Sequence, residues 1–232
     1  VNEIFKAIVR RCDGMLAPAV YEKIYQAALA GGTIVEVGTG LGAGTAALAL
    51  GLRDGGRVGR VYTFDPMLGG PRRALRGVQK RVDTVRDNLA AFDVDHLVQI
   101  IPATLAEGLH VIPPSEDISV LMLDADGRID RDILLLEKRI PAGAKIIIDD
   151  NVDLVRLSKA AGFNYRVDAK MRLTFLLLEW LRKEDFINTG ELVGNTLFAE
   201  RQSGGPPYRS PAPWRPTASW FSQMPVIRQA WR

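Results

Sequence analysis

Carboxylates gather in this chain where strands should end, and their spacing suits the holding of a cation and a cofactor. Val120-Leu121-Met122-Leu123 runs into Asp124-Ala125-Asp126, and Lys145-Ile146-Ile147-Ile148 runs into Asp149-Asp150-Asn151. If these apolar runs are neighbouring parallel strands, their tips lie about 5 Å apart, and Asp124, Asp150 and Asn151 converge. Two carboxylates and an amide oxygen make half of an octahedral oxygen shell. Mg²⁺ or another divalent cation accepts such a set and keeps water or substrate hydroxyls in its other positions. The same acids have a second reading as caps and solvated loop ends, because a carboxylate stabilises a helix N-terminus without any metal.

Two further acids point to a cofactor. Glu36 lies in Thr33-Ile34-Val35-Glu36-Val37-Gly38-Thr39-Gly40-Leu41-Gly42-Ala43-Gly44, an apolar strand that breaks into alternating glycines and then into helix-forming Thr45-Ala46-Ala47-Leu48. Glycines let the backbone approach a ligand, and the helix amides behind them face it. Asp65 follows Val61-Tyr62-Thr63-Phe64, 29 residues after Glu36, where an acid can accept both hydroxyls of a ribose. It can also serve as a turn residue before Pro66. A dinucleotide fingerprint needs G-x-G-x-x-G, and the frames from Gly38, Gly40 and Gly42 end on Ala43, Thr45 and Ala47. Only the relaxed form with a final alanine survives, which counts against an NAD-dependent oxidoreductase.

The elements that must position these residues follow from periodicity. From residue 33 onward apolar strands alternate with helical patterns, which predicts βαβ units and a parallel, doubly wound α/β sheet of Rossmann-like type. Strands are expected at 33–37, 60–64, 98–102, 118–123, 145–148 and 195–199. Helices are expected at 44–52, 76–92, 105–109, 131–139 and 172–182. Two helices within residues 2–30, the second from Pro18, form an N-terminal cap that covers the cofactor or makes a dimer surface. One domain spans 1–201. Residues 202–232, with six prolines and three tryptophans, have little period and read as an irregular C-terminal extension that docks on the domain or on a second subunit.

The glycine turn preceded by its acid resembles motif I of the S-adenosylmethionine-dependent methyltransferases of the Rossmann-like class. The run Leu123-Asp124-Ala125-Asp126, then Asp132 to Glu137, Pro141-Ala142-Gly143 and Asp150-Asn151, is similar to the catechol and caffeoyl-coenzyme A type of O-methyltransferases over about residues 15 to 155. The resemblance implies methyl transfer from S-adenosylmethionine to a hydroxyl of a small molecule, assisted by a divalent cation. It places Glu36, Gly38, Thr39, Gly40 and Gly44 at the methionine part of the cofactor and Asp65 at its ribose. Ala103 and Thr104 fall near the adenine, with Asp124 beside the cofactor as well. Asp124, Asp150 and Asn151 become the metal ligands.

Two departures qualify it. The family's usual general base, a lysine three residues after the metal-binding aspartate, is Gly127 here, and the neighbouring Arg128 stays protonated. Asp126 or a metal-bound hydroxide is then left to take the proton, and Asp124 and Asp126 are the candidate catalytic residues. Relatives also carry a Gly-Asp-Ala run where this chain has Pro102-Ala103-Thr104, so adenine recognition falls to backbone groups or Thr104. These departures keep open a metal-independent enzyme, or a degenerate methyltransferase fold that only binds.

Composition bounds the rest. At 232 residues and 47% hydrophobic, the chain suits one well-buried domain. No apolar run reaches membrane-spanning length, and residues 1–11 read as an amphipathic helix rather than a secretion signal. Cys12 is the single cysteine, which excludes an intramolecular disulfide framework; a cytoplasmic homodimer is expected. The net charge is +3, and the basic groups at Arg72-Arg73, Arg76 and Lys80-Arg81 have no interleaved aromatics, so no nucleic-acid partner is expected. His96 and His110 sit at loop and boundary positions and read as ordinary surface histidines.

Overall fold

A computed structural model describes residues 3–68, 77–151, 169–204 and 211. Helices α1 (Glu3–Cys12) and α2 (Pro18–Ala28) precede the sheet. There follow β1 (Gly32–Val37), α3 (Ala43–Asp54), β2 (Gly59–Phe64), α4 (Val78–Ala90), β3 (Val98–Ile101), α5 (Leu105–Gly108) and β4 (Ile118–Leu123). The order closes with α6 (Ile129–Leu136), β5 (Lys145–Ile148), α7 (Ala169–Lys183), β6 (Glu191–Val193) and β7 (Thr196–Glu200).

The strands form one sheet in the order β3-β2-β1-β4-β5-β7-β6. The first five are parallel, β7 runs antiparallel to β5, and β6 antiparallel to β7. The chain winds outward from β1 in both directions, so a crevice opens at the carboxyl ends of β1 and β4, where such sheets bind ligands. Register makes that crevice useful. Val37 lies opposite both Phe64 and Leu123, and Leu123 lies opposite Ile148. Four strands therefore end level, and the residues after them share one rim.

Alternation along β1 divides the core. Val35 and Val37 join Phe64, Leu121, Leu123, Ile146 and Ile148 under α5, α6 and α7, whereas Ile34 joins Val61, Val120, Met122 and Ile147 under α1 to α4. The period of two sends Glu36 to the second face, beneath the start of α3. Both faces are apolar because helices cover both, as a parallel sheet requires. Each fully buried aliphatic side chain here, such as Ile34 or Leu48, contributes about 1.5–3 kcal/mol by its removal from water. Local chemistry sets the helix starts. Pro18 opens α2, and Thr104 with Glu107 forms a reciprocal capping box at α5.

The doubly wound α/β expectation holds, with shifts at element ends. The helix expected at 131–139 is α6 followed by a single 3₁₀ turn at Glu137–Arg139, and Pro102 lies outside β3. The expected last strand is β7, and β6 was not anticipated. It has three half-exposed or exposed residues, too short for an alternation to register. The expected C-terminal extension lies outside the described residues except for 202–204 and 211. No helix among the described residues is long and apolar enough to cross a membrane.

Candidate active site

The tip of β1 carries a buried acid held from both sides. Glu36 is 1% exposed. Its Oε2 accepts from the Thr45 and Thr63 hydroxyls, each at 2.5 Å, while its Oε1 is buried with no hydrogen-bond partner. Burial pushes its pKa up to about 7 despite the two threonine donors. An orphan carboxylate oxygen in such a place is expensive unless a ligand completes it. The glycines around it make room. A Cβ on Gly44 would meet Glu36 Oε1 at 2.6 Å, and one on Gly38 would stand 1.9 Å from the Asp124 carbonyl oxygen, at a backbone φ of +103°. Gly38 is thus the point where the turn after β1 touches the end of β4.

Above this turn lies the segment joining α1 to α2. Cys12, Asp13, Gly14, Met15, Leu16 and Tyr21 line a small cavity of about 60 Å³ together with Glu36, the glycine turn and Asp124. The Tyr21 hydroxyl accepts from the Leu16 N–H at 3.3 Å, and burial raises its pKa to about 12. The N-terminal helices therefore cover this end of the crevice.

At the tip of β2, Asp65 Oδ2 accepts from the Gly40 N–H at 3.2 Å and Oδ1 from the Met67 N–H at 2.7 Å. Asp65 lines a cleft of about 560 Å³ that runs from Gly38 and Gly40 past Phe64 and Leu105 to Asp124, Asp126 and Lys170. Thr104 reaches this cleft, but its hydroxyl is engaged with Glu107 in the capping box of α5. Ala103 packs against the core below, and Thr39, which is buried, shares a hydrogen bond of 2.6 Å with Thr63.

At the tips of β4 and β5 three acids meet. Carboxylate oxygens of Asp124, Asp149 and Asp150 lie within 4.8 Å of one another. Asp149 accepts from the Thr196 hydroxyl at 2.6 Å, and burial raises its pKa. Asp150 occupies left-handed backbone at φ +59°, a conformation that aspartate adopts more readily than most residues with a side chain. Asn151 is buried, its N–H bound to the Asn195 carbonyl at 2.8 Å. The ammonium of Lys170, from the first turn of α7, stands between two of the acids, 3.0 Å from Asp124 Oδ1 and 2.5 Å from Asp150 Oδ2. Asp124 nevertheless has its pKa pushed up to about 7. Its burial outweighs the Lys170 charge, and Asp149 and Asp150 add to the rise.

Asp126 departs from its expected role. The Arg131 guanidinium binds it at 2.9 and 3.2 Å, and the Arg128 N–H donates to it at 3.1 Å. Burial alone would raise its pKa, but these donors outweigh burial and hold it below the usual carboxylate range. A carboxylate so paired is a poor base.

Glu36 thus lines the small cavity and Asp65 and Thr104 the larger cleft, and the two share Gly38, Gly40 and Asp124 in their walls. Sequence reasoning missed Thr45 and Thr63, which hold Glu36, and also Arg131 and Lys170. The two threonines carried a local signal, since both lie on elements flanking the turn. Lys170 carried none, being 46 residues from Asp124. Tyr165 and Arg166 lie outside the described residues.

Comparison with known proteins adds to this geometry. The family model described as "Methyltransferase domain" matches residues 35–151, from β1 to the tip of β5. No curated protein sequence matches the chain. Among solved structures, cofactor-bound Rv0187 from MTB is 19% identical with a TM-score of 0.63, covering 87% of this chain and 91% of the other. An O-methyltransferase from Bacillus cereus in complex with SAH is 19% identical with a TM-score of 0.62, covering 87% and 92%. The O-methyltransferase TomG from Streptomyces achromogenes, involved in tomaymycin synthesis and solved with SAM, is 18% identical with a TM-score of 0.62, covering 88% and 91%. At these identities the likeness is one of fold.

Proposed function

The chain belongs to the methyltransferase domain family, and from that premise we propose that it transfers a methyl group from S-adenosylmethionine to a hydroxyl oxygen of a small molecule. One observation carries the cofactor reading. The unpartnered, fully buried Glu36 Oε1 belongs to the small cavity that shares Gly38 and Gly40 with the cleft lined by Asp65, so a ligand with a cationic amino group at one end and a diol further along would satisfy both. S-adenosylmethionine has those groups, and when bound it supplies an electrophilic methyl on a sulfonium sulfur. Glu36 and the amides of the glycine turn would hold its amino-acid part, and Asp65 its ribose.

The acceptor class follows from the far end of the same cleft and from the O-methyltransferases that share the fold. Asp124, which titrates near neutrality, is the carboxylate placed to take the proton that an acceptor hydroxyl loses. Holding the acceptor oxygen in line with the sulfonium methyl would supply much of the rate.

Divalent-cation assistance by Asp124, Asp150 and Asn151 is the finer reading raised by the acid-tipped strands. The oxygen donors suit a hard cation. As the side chains stand, however, the place between Asp124 and Asp150 is taken by the Lys170 ammonium. The arrangement does not fit an added ion, and no step is routed through one.

Calorimetric titration tests the proposal. S-adenosylmethionine should bind one per chain, and NAD⁺ should give no heat. Binding of NAD⁺ in preference, or of neither by folded protein, would refute it.

A further inference from the structure

Among the described residues, Lys170 is the one cationic side chain placed between the acids at the ends of β4 and β5, and it also lines the cleft that reaches Asp65. An ammonium has three donors. Two go to Asp124 and Asp150, and no third acceptor is found among the described residues. We propose that Lys170 is the resident cation of this site: clamped by Asp124 and Asp150, it offers its remaining N–H to the acceptor oxygen, and the site works without a divalent metal. The proposal rests on the methyl-transfer reading above.

Two features support it. Charge comes first. A divalent ion bound at about 2.0–2.6 Å from these carboxylate oxygens would stand within a few ångströms of the ammonium, in a partly buried place where water screens poorly. Only one of the two can hold the position.

Packing comes second. Gly127 has a φ of +82°, and a Cβ there would lie 2.9 Å from the Lys170 carbonyl oxygen and 3.2 Å from the Lys170 Cγ. The loop after β4 is cut down to a glycine where α7 arrives, so a lysine cannot stand at 127 while Lys170 is in place. One amine is exchanged for another that comes from a different element.

The test is a calorimetric titration of MgCl₂ and MnCl₂ into the full chain as wild type, Lys170→Ala and Lys170→Arg, with S-adenosylmethionine titrated into the same samples. Wild type and Lys170→Arg should take up no divalent ion. Lys170→Ala, whose carboxylates are left uncompensated, should bind Mn²⁺ at least about tenfold more tightly than wild type. Stoichiometric metal binding by the wild type overturns the proposal, as does a folded Lys170→Ala that gains none. If Lys170→Ala fails to give a cooperative melt, the wild-type and Lys170→Arg titrations decide it alone. Loss of S-adenosylmethionine binding in the wild type would instead strike the methyl-transfer reading and leave the metal result standing.

Discussion

The two halves of the crevice treat charge in opposite ways. At the tips of β1 and β2, Glu36 keeps an oxygen without a partner and Asp65 accepts from two backbone amides, those of Gly40 and Met67. At the tips of β4 and β5, Asp124 and Asp150 share an ammonium and Asp149 has Thr196. The first half is incomplete without a ligand, and the second already holds an ammonium between two of its acids. A site divided in this way binds its cofactor through unmet hydrogen-bonding capacity and its acceptor through one preset positive charge.

Gly38 joins the halves, and altering it should have the largest effect. Gly38→Ala would drive a Cβ into the Asp124 carbonyl at a backbone φ of +103°. A loss of about 3 kcal/mol or more is expected, read as a lowered urea midpoint. A variant as stable as wild type would show that the halves are not in contact.

Glu36→Gln sharpens the contrast through pH. The folded pKa of Glu36 is about 7, above its unfolded value near 4.5, so the native state holds the extra proton between those values. Its contribution to stability is therefore full below about pH 4.5 and declines as pH rises to about 7. The variant should flatten that part of the pH–stability curve and be more stable than wild type at pH 8, by an amount on the order of 1–3 kcal/mol. It should also bind S-adenosylmethionine more weakly, since it lacks the negative charge. Parallel curves for the two proteins would remove the claim of a buried, destabilised acid.

The smallest effect belongs to Thr104→Ala. Loss of the capping box should cost about 1 kcal/mol and leave cofactor affinity unchanged, because the hydroxyl is already spent on Glu107. A large fall in affinity would place Thr104 among the adenine contacts after all.

What the sequence disclosed follows the same division. The β1–β2 half was legible because its chemistry is local: an apolar strand, an acid, glycines, and a second acid after the next strand. The acids of the other half were equally visible as Asp124-Ala125-Asp126 and Asp149-Asp150-Asn151. Their partners were not. Lys170 comes from a helix far along the chain, and Arg131 turns Asp126 from a candidate base into half of an ion pair. Which carboxylate is free depends on contacts made across the fold, and strand periodicity carries no record of them. Gly127 shows this well. In the sequence it is a missing lysine, whereas in the structure it is the space through which another lysine enters.

Titration of S-adenosylmethionine into Asp65→Ala and Asp150→Ala, each checked for a cooperative melt, tests the division most directly. Asp65→Ala should lose about ten- to a hundredfold in affinity, the worth of one or two hydrogen bonds to a charged acceptor, while Asp150→Ala should stay within about threefold of wild type. Undiminished binding by Asp65→Ala, or a larger loss in Asp150→Ala, would contradict the assignment of the cofactor to the β1–β2 half.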